Sequence, residues 1–557
     1  MPLLSSAPLT VVLSLLLASA ALAQEHREGS STGEKLGTVS FSTSCSAAAR
    51  PLFNRSVALL HSFEFAQAIE GFNAMLASDP SCAMAEWGIA LSRWGNPFAA
   101  GLRPPAQLQQ GRDAVDRARA IGPKTARERA YLEAVSLLYA RFETVDQRTR
   151  MLAYRDAMAK VAEANADDTE ASIFYALSIA AAASPADKTY ADLLKSGAIL
   201  DKIAATHPNH PGIAHYTIHS YDVAPLANRA LDAAWCYAKI APSTPHALHM
   251  PSHTFTRLGY WQESIDTNIA SSAVAKREGS TAEELHALDY RVYAYLQTAQ
   301  DGAAREISGA LPEVKARFDP NAVASAAPGS AGVFALAAIP ARYALERGAW
   351  ADAAKLVPEP SGVLYADALT WFAKALGAAR TGDAAATRSA IDALTGIEAR
   401  LTEQKEAYWA EQTAIQRRSA SAWLALASGR GAEALVEMRA AAALEDGTEK
   451  SAVTPGPLAP ARELLGEMLL QMDRPSDALK EFEATLEKEP NRFRALFGAA
   501  RSASLAGDLQ KARTYSGALL KICDRADQPG RPELEQARLE WHRTQSRWPV
   551  GAVDRRG

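Results

Sequence analysis

The sequence predicts an all-α solenoid of antiparallel helix pairs. Three observations carry this. Alanine and leucine dominate, and both lead the helix propensity scale. Apolar residues recur with helical period from about residue 45 almost to the end, with Gly and Pro between the periodic segments and no convincing strand run. At 557 residues the chain is also too long for one compact core, so an array of repeated units is expected.

The elements follow in order. Leu9 to Ala21 is an apolar run ending in Ala21-Leu22-Ala23, the pattern of a signal peptide over residues 1–23 cleaved before Gln24. No Lys or Arg precedes the run, and no Cys follows the cleavage point, which argues against a lipid anchor. Residues 24–44 are rich in Gly, Ser, Thr and charge and read as a flexible linker. Residues 45–317 form an N-terminal array and 332–527 a C-terminal one, separated by Phe318-Asp319-Pro320 through Ser330-Ala331. A second loop lies at 449–460, around Pro455-Gly456-Pro457. Residues 528–557, with Trp541 and Trp548, read as a capping helix and tail.

Within the arrays, Leu465-Gly466, Ala478, Phe482 and Pro490 stand at the offsets of a tetratricopeptide (TPR) unit, and Ala512 follows Ala478 by 34 residues. Ala68, Phe72 and Pro80 show the same offsets. Leu258-Gly259-Tyr260-Trp261 and Arg347-Gly348-Ala349-Trp350 with Ala353 mark two further turns. Small residues let paired helices approach, and large ones fill the space to the next pair. The chain therefore resembles TPR proteins over most of residues 45–525.

With 59 basic and 63 acidic residues and a net charge of −4, the chain offers no basic field for nucleic acid. Past the signal segment no apolar stretch is long enough to span a membrane. There is no P-loop, dinucleotide fingerprint, Gly-x-Ser-x-Gly elbow, His-Glu-x-x-His or Cys-x-x-Cys. Four cysteines leave two readings open: a Cys45–Cys82 disulfide flanking a helical hairpin, or four buried thiols.

The chemistry concentrates in histidine. Seven of eleven histidines fall between His207 and His253, where uniform usage would place about one. In the 34-residue register His215 matches His249 and His219 matches His253, so each unit carries an i, i+4 pair on one helix face. Asp222 and His246 extend the two faces. In the TPR resemblance this face lines the concave groove. Helices packed at about 8–10 Å would bring His215, His219, His249, His253, Asp222 and His246 around a cation. Nitrogen-rich ligation suits zinc, copper or nickel. The next unit supplies His286, Asp289 and Tyr293 as supporting groups, with Asp289 at the place of His249 and Tyr293 at that of His253. Pro251 requires a kink or a new helix start within the second pair. His207 and His210 read as turn residues and His61 as helix packing. Trp87 and Trp94, seven apart, face the groove or the core, and Glu170 and Tyr175 are further groove residues.

Phe41-Ser42-Thr43-Ser44-Cys45, Ala58 through Phe63, Asp79 through Ala85, His210 through His219 and His246 through Gly259 resemble segments of exported bacterial TPR proteins of undefined biochemical role. The resemblance implies the fold and a periplasmic or secreted location, and no reaction. The expected function is a TPR-repeat binding protein with a histidine-ligated transition metal in its groove. One alternative is a metal-dependent hydrolytic or oxidative enzyme using the same cluster. Another is a metal-free protein-interaction scaffold. The partner is accordingly a protein or peptide in the groove, or a small molecule at the histidines.

Overall fold

The computed structural model describes residues 33–99, 101–322 and 326–546, with side chains to residue 543. The proposed signal peptide, the first part of the linker and Trp548 lie outside the described residues. From Arg50–His61 to Pro532–Ser546 the chain runs helix after helix, with no strand among the described residues. Most successive helices pack as antiparallel hairpins, such as Arg50–His61 on Phe65–Ser78 and Trp261–Glu278 on Thr281–Gln297. The architecture is the all-α solenoid that the helical periodicity predicts. Among the described residues, no helix is long and apolar enough to cross a membrane.

Local chemistry sets the helix ends. Thr125 and Glu128 form a capping box, and Asp146, Asp383 and Asp508 accept backbone N–H bonds at the starts of their helices. The repeated turn spacing places small and large residues as packing requires: Ala68, Ala478 and Ala512 are completely buried, and Phe72 and Phe482 fill the gaps beside them. Cys45 and Cys82 are joined by a disulfide, which ties the chain before the first helix to the turn after the second hairpin arm.

The two arrays are not separate bodies. Thr281–Gln297 packs directly against Gly329–Leu345 across the intervening loop. Ala326 and Ala327 of that loop are buried, and the Ala327 N–H donates to Glu283. The solenoid also closes on itself. Gly259 sits at φ +68° with its Cα against the Pro490 carbonyl, where a Cβ would meet the oxygen at 2.3 Å. Trp261 Nε1 donates to the Asn491 carbonyl at 2.8 Å, and Arg531 Nε pairs with Asp301 Oδ2 at 2.9 Å. The 448–460 segment crosses the inside. Lys188 and Tyr190 both reach Glu449 at 2.9 Å, and Lys450 Nζ lies 3.4 Å from Asp222.

Candidate metal centre

Three consecutive inner helices carry the cluster. Pro211–Ser220 starts with Pro at its first turn, and its residues from Pro211 to Ser220 are all buried. Gly212 lets this helix lie on the first hairpin, since a Cβ there would meet His61 Nδ1 at 2.5 Å. The next inner helix is broken as Pro251 requires: Pro245–His249 ends, Met250 keeps helical angles, and Pro251–Leu258 restarts. The break costs little direction, so His246, His249 and His253 all face inward. Thr281–Gln297 is an unbroken third helix and presents His286 and Tyr290.

The six histidines divide into two groups of three. His215, His219 and His246 form one, and His249, His253 and His286 the other, each with ligand-type atoms within 4.8 Å of one another. All six are at most 6% exposed. In each group an i, i+4 pair takes its third member from the following inner helix.

Hydrogen bonds fix which nitrogen faces the cluster. His215 Nδ1 lies 2.6 Å from the His61 carbonyl, which can only accept, so that nitrogen carries the proton. Asn268 donates its Nδ2 to the Ser264 carbonyl, which leaves its Oδ1 to accept from His249 Nδ1 at 2.7 Å. His253 Nδ1 donates to Asp222 Oδ2 at 2.9 Å. These partners orient the imidazoles as second-sphere groups do at metal sites. The three Nε2 atoms are therefore lone-pair acceptors in the neutral rings. Nevertheless His249 Nε2 and His253 Nε2 lie 3.1 Å apart, as do His246 Nε2 and His215 Nε2. His219 Nε2 is buried without a hydrogen-bond partner.

Burial pushes the imidazoles of His215, His219, His246, His249 and His286 well below their ordinary pKa. Burial also lowers His253, against the opposing pull of Asp222. Asp222 remains a carboxylate despite its burial, because Lys450, Arg257 and His253 surround it and hold it well below the usual range. The cluster thus presents neutral imidazoles, the form that ligates metals.

The placement differs from the sequence register in several ways. Asp222 does not enter the ring of nitrogens; it holds His253 and pairs with Arg257 at 2.9 Å. Asp289 and Tyr293 are away from the cluster. Asp289 pairs with Arg342 at 2.8 Å, both fully buried, and the Tyr293 hydroxyl donates to Glu489 and accepts from Arg492, each at 2.9 Å. The third helix has no proline break, so its inward face is carried by His286 and Tyr290 rather than by positions matched to His249 and His253. The Tyr290 hydroxyl lies 3.4 Å from His253 Nε2, and its ring packs on His249 at 4.7 Å. The His286-x-x-x-Tyr290 spacing, the same i, i+4 step as the other pairs, was the signal for it. Trp87 and Trp94 are core, edge-on to Tyr131 and Tyr139.

His61 and His210 are more than packing and turn residues. Glu170 accepts from His61 Nε2 at 2.9 Å and His210 Nε2 at 3.0 Å, deep in the protein. Burial opposes its charge, but the two imidazoles hold its carboxyl well below the usual range. This triad sits behind His215, which leans on the His61 carbonyl. Phe63, two residues on, adopts φ 58°, unusual for an aromatic residue, and lays its ring 4.4 Å from His215 and 5.6 Å from His246.

A small cavity of about 30 Å³, room for a water-sized group, opens onto His219, His246, His253 and His286 and is also lined by Phe98, Ala326 and Val453. Beside it, a wider recess of about 310 Å³ touches His219 and Asp222 and runs outward past Tyr190, Tyr408 and Trp409. Phe98 stacks on His219 at 3.9 Å where the two spaces meet.

No family model and no curated protein matches the chain. Among solved structures, it is similar to a human IFIT1 dimer with m7Gppp-AAAA, at 10% identity and a TM-score of 0.38, covering 79% of this chain and 90% of that one. It is similar to Naa15/Naa10 bound to HypK-THB at 11% identity and TM-score 0.24, covering 89% and 91%. It is also similar to the APC/C hetero-tetramer Cut9–Hcn1 at 11% identity and TM-score 0.32, covering 89% and 90%. These overlaps are too loose to bear on function. The chain's own features define its class: a helical-repeat protein that encloses a cluster of histidines on its inner helices.

Proposed function

We propose that this protein is an exported helical-repeat protein whose inner histidine cluster binds a transition metal of the zinc, copper or nickel class. The contact between His249 Nε2 and His253 Nε2 carries the reading. Both Nδ1 atoms are committed as donors, so neutral rings place two lone pairs 3.1 Å apart. Only a cation between them makes that contact favourable. Metal–nitrogen bonds of about 2.0–2.1 Å in a tetrahedral site put ligand nitrogens about 3.3 Å apart, close to the spacing found. A shared proton is the competing cation, and burial of both rings works against it.

Three nitrogens per group leave a coordination position open, the pattern of catalytic rather than structural sites. The cavity against four of the histidines gives that position room for a water-sized ligand. The recess of about 310 Å³ beside it admits a small molecule rather than a docked peptide, and supports the reading of a metal-dependent enzyme that activates water or oxygen. Export is part of the proposal: the signal-like segment suggests it, and the Cys45–Cys82 disulfide fits an oxidising compartment.

The test is elemental mass spectrometry on untagged mature protein isolated from the exported fraction, then on chelator-treated protein after reconstitution. Near-stoichiometric zinc, copper or nickel is expected. Protein that carries none and gains none under either condition would overturn the reading.

A further inference from the structure

The two histidine groups are copies of one another. Advancing along the repeat carries His215 to His249, His219 to His253 and His246 to His286. Each group has the same composition: an i, i+4 pair plus one histidine from the next inner helix. Adjacent repeats of a solenoid are close, so copies of a site fall next to each other. Here they touch. His219 and His253 ring centroids are 6.0 Å apart and those of His246 and His249 6.1 Å, although each pair spans the two groups. Within the groups the corresponding spacings run from 4.4 Å, His249 to His286, to 6.5 Å, His219 to His246. The separation between groups is thus no larger than the separation within them.

Both groups also face one space. The small cavity, about 30 Å³ and large enough for a water-derived oxygen, is lined by His219 and His246 of the first and by His253 and His286 of the second. A position left open on a cation in either group therefore points into the same chamber.

We infer that the cluster is a two-ion centre: one transition-metal ion on His215, His219 and His246, a second on His249, His253 and His286, with a water-derived oxygen ligand bridging them from the shared cavity. This deepens the metal-binding reading and rests on it. Two ions spanned by one oxygen stand about 3.5–4 Å apart, a spacing that adjoining groups of three nitrogens can support. Asp222, Asn268 and the His61 carbonyl act as positioning residues, since each holds an Nδ1–H and so aims an Nε2 inward.

The experiment is a titration of full-length mature apo-protein with Cu(II), reading bound copper by elemental analysis and spin by electron paramagnetic resonance. Two coppers per chain are expected, with an integrated signal far below the bound copper, because spins bridged by oxygen pair. His219→Ala and His286→Ala should each retain one copper, in the untouched group, and each should then show the full signal of an isolated ion. A wild-type protein that binds one copper, lost in both variants, would leave the metal reading standing and overturn the pair. Two coppers with a full uncoupled signal would overturn the bridge. Binding of neither copper nor any other metal would overturn the metal reading itself. The wild-type stoichiometry and signal decide the matter even if a variant fails to fold.

Discussion

Two contrasting ways of burying polar groups on inner helices stand out, one in each half of the solenoid. In the C-terminal half every deep cation among those named below meets a carboxylate. Arg492 is fully buried and pairs with Glu463 and Glu346, each at 2.8 Å. Arg494 and Arg380 share Glu467, and Arg342 takes Asp289. In the N-terminal half six imidazoles are buried against one another, and carboxylates reach them only from behind, as Asp222 reaches His253. A buried charge paired on all sides holds a shape. Buried lone pairs aimed at each other invite a cation. The same repeat scaffold thus carries ion-pair struts on its inner face at one end and a cage of imidazoles at the other.

The contrast can be broken from either side. The largest effect is expected from replacing His219 and His253 together with alanine, which removes a nitrogen from each group. Metal retention should be lost while helical circular dichroism is kept; unchanged metal content would place the ions elsewhere. On the strut side, Arg492→Ala leaves two buried carboxylates without their partner. It should cost about 3–5 kcal/mol by urea denaturation and leave metal content intact.

Glu467 sharpens the comparison by pH. Burial works to raise its carboxyl, but Arg494 and Arg380 hold it down at about 2, against 4.5 for an unperturbed glutamate. A depressed acid contributes stability above its unfolded value and loses it as pH falls toward the folded one. Wild type should therefore exceed Glu467→Gln by about 3 kcal/mol near pH 7, with the gap closing from pH 4.5 toward pH 2. A gap independent of pH would show that packing, not charge, holds this residue. The smallest effect is expected from Asp222→Asn. It keeps the side chain's size and an oxygen acceptor but removes the charge that His253, Arg257 and Lys450 share, and should weaken metal affinity by about 10–100-fold in a competition titration.

Helix pairs and turn positions were legible in the sequence because small and large residues recur at fixed offsets, as at Ala478, Phe482 and Ala512. The facing of His215 with His219, and of His249 with His253, was legible from the i, i+4 step alone. The division into two groups was not. It depends on His246 and His286, whose reach across to the preceding helix is set by packing distance and by the kink at Pro251. The same kink explains why Asp289 and Tyr293, matched by register, belong to the arginine network while Tyr290 faces the histidines. The Glu170 link to His61 and His210 joins residues 109 and 40 positions apart. No local pattern announces such a pairing. Nor does periodicity reveal that the 448–460 segment folds across the inside, since loops carry no repeat.

An open helical repeat behaves like a spring: its ends fray, and it lengthens or winds to fit what it grips. Here Trp261 is fastened to Asn491 and Asp301 to Arg531, so the coil is latched near its far end onto its middle. These fastenings oppose stretching of the coil, so the inner helices that carry the six imidazoles are braced by residues more than two hundred positions further along the chain.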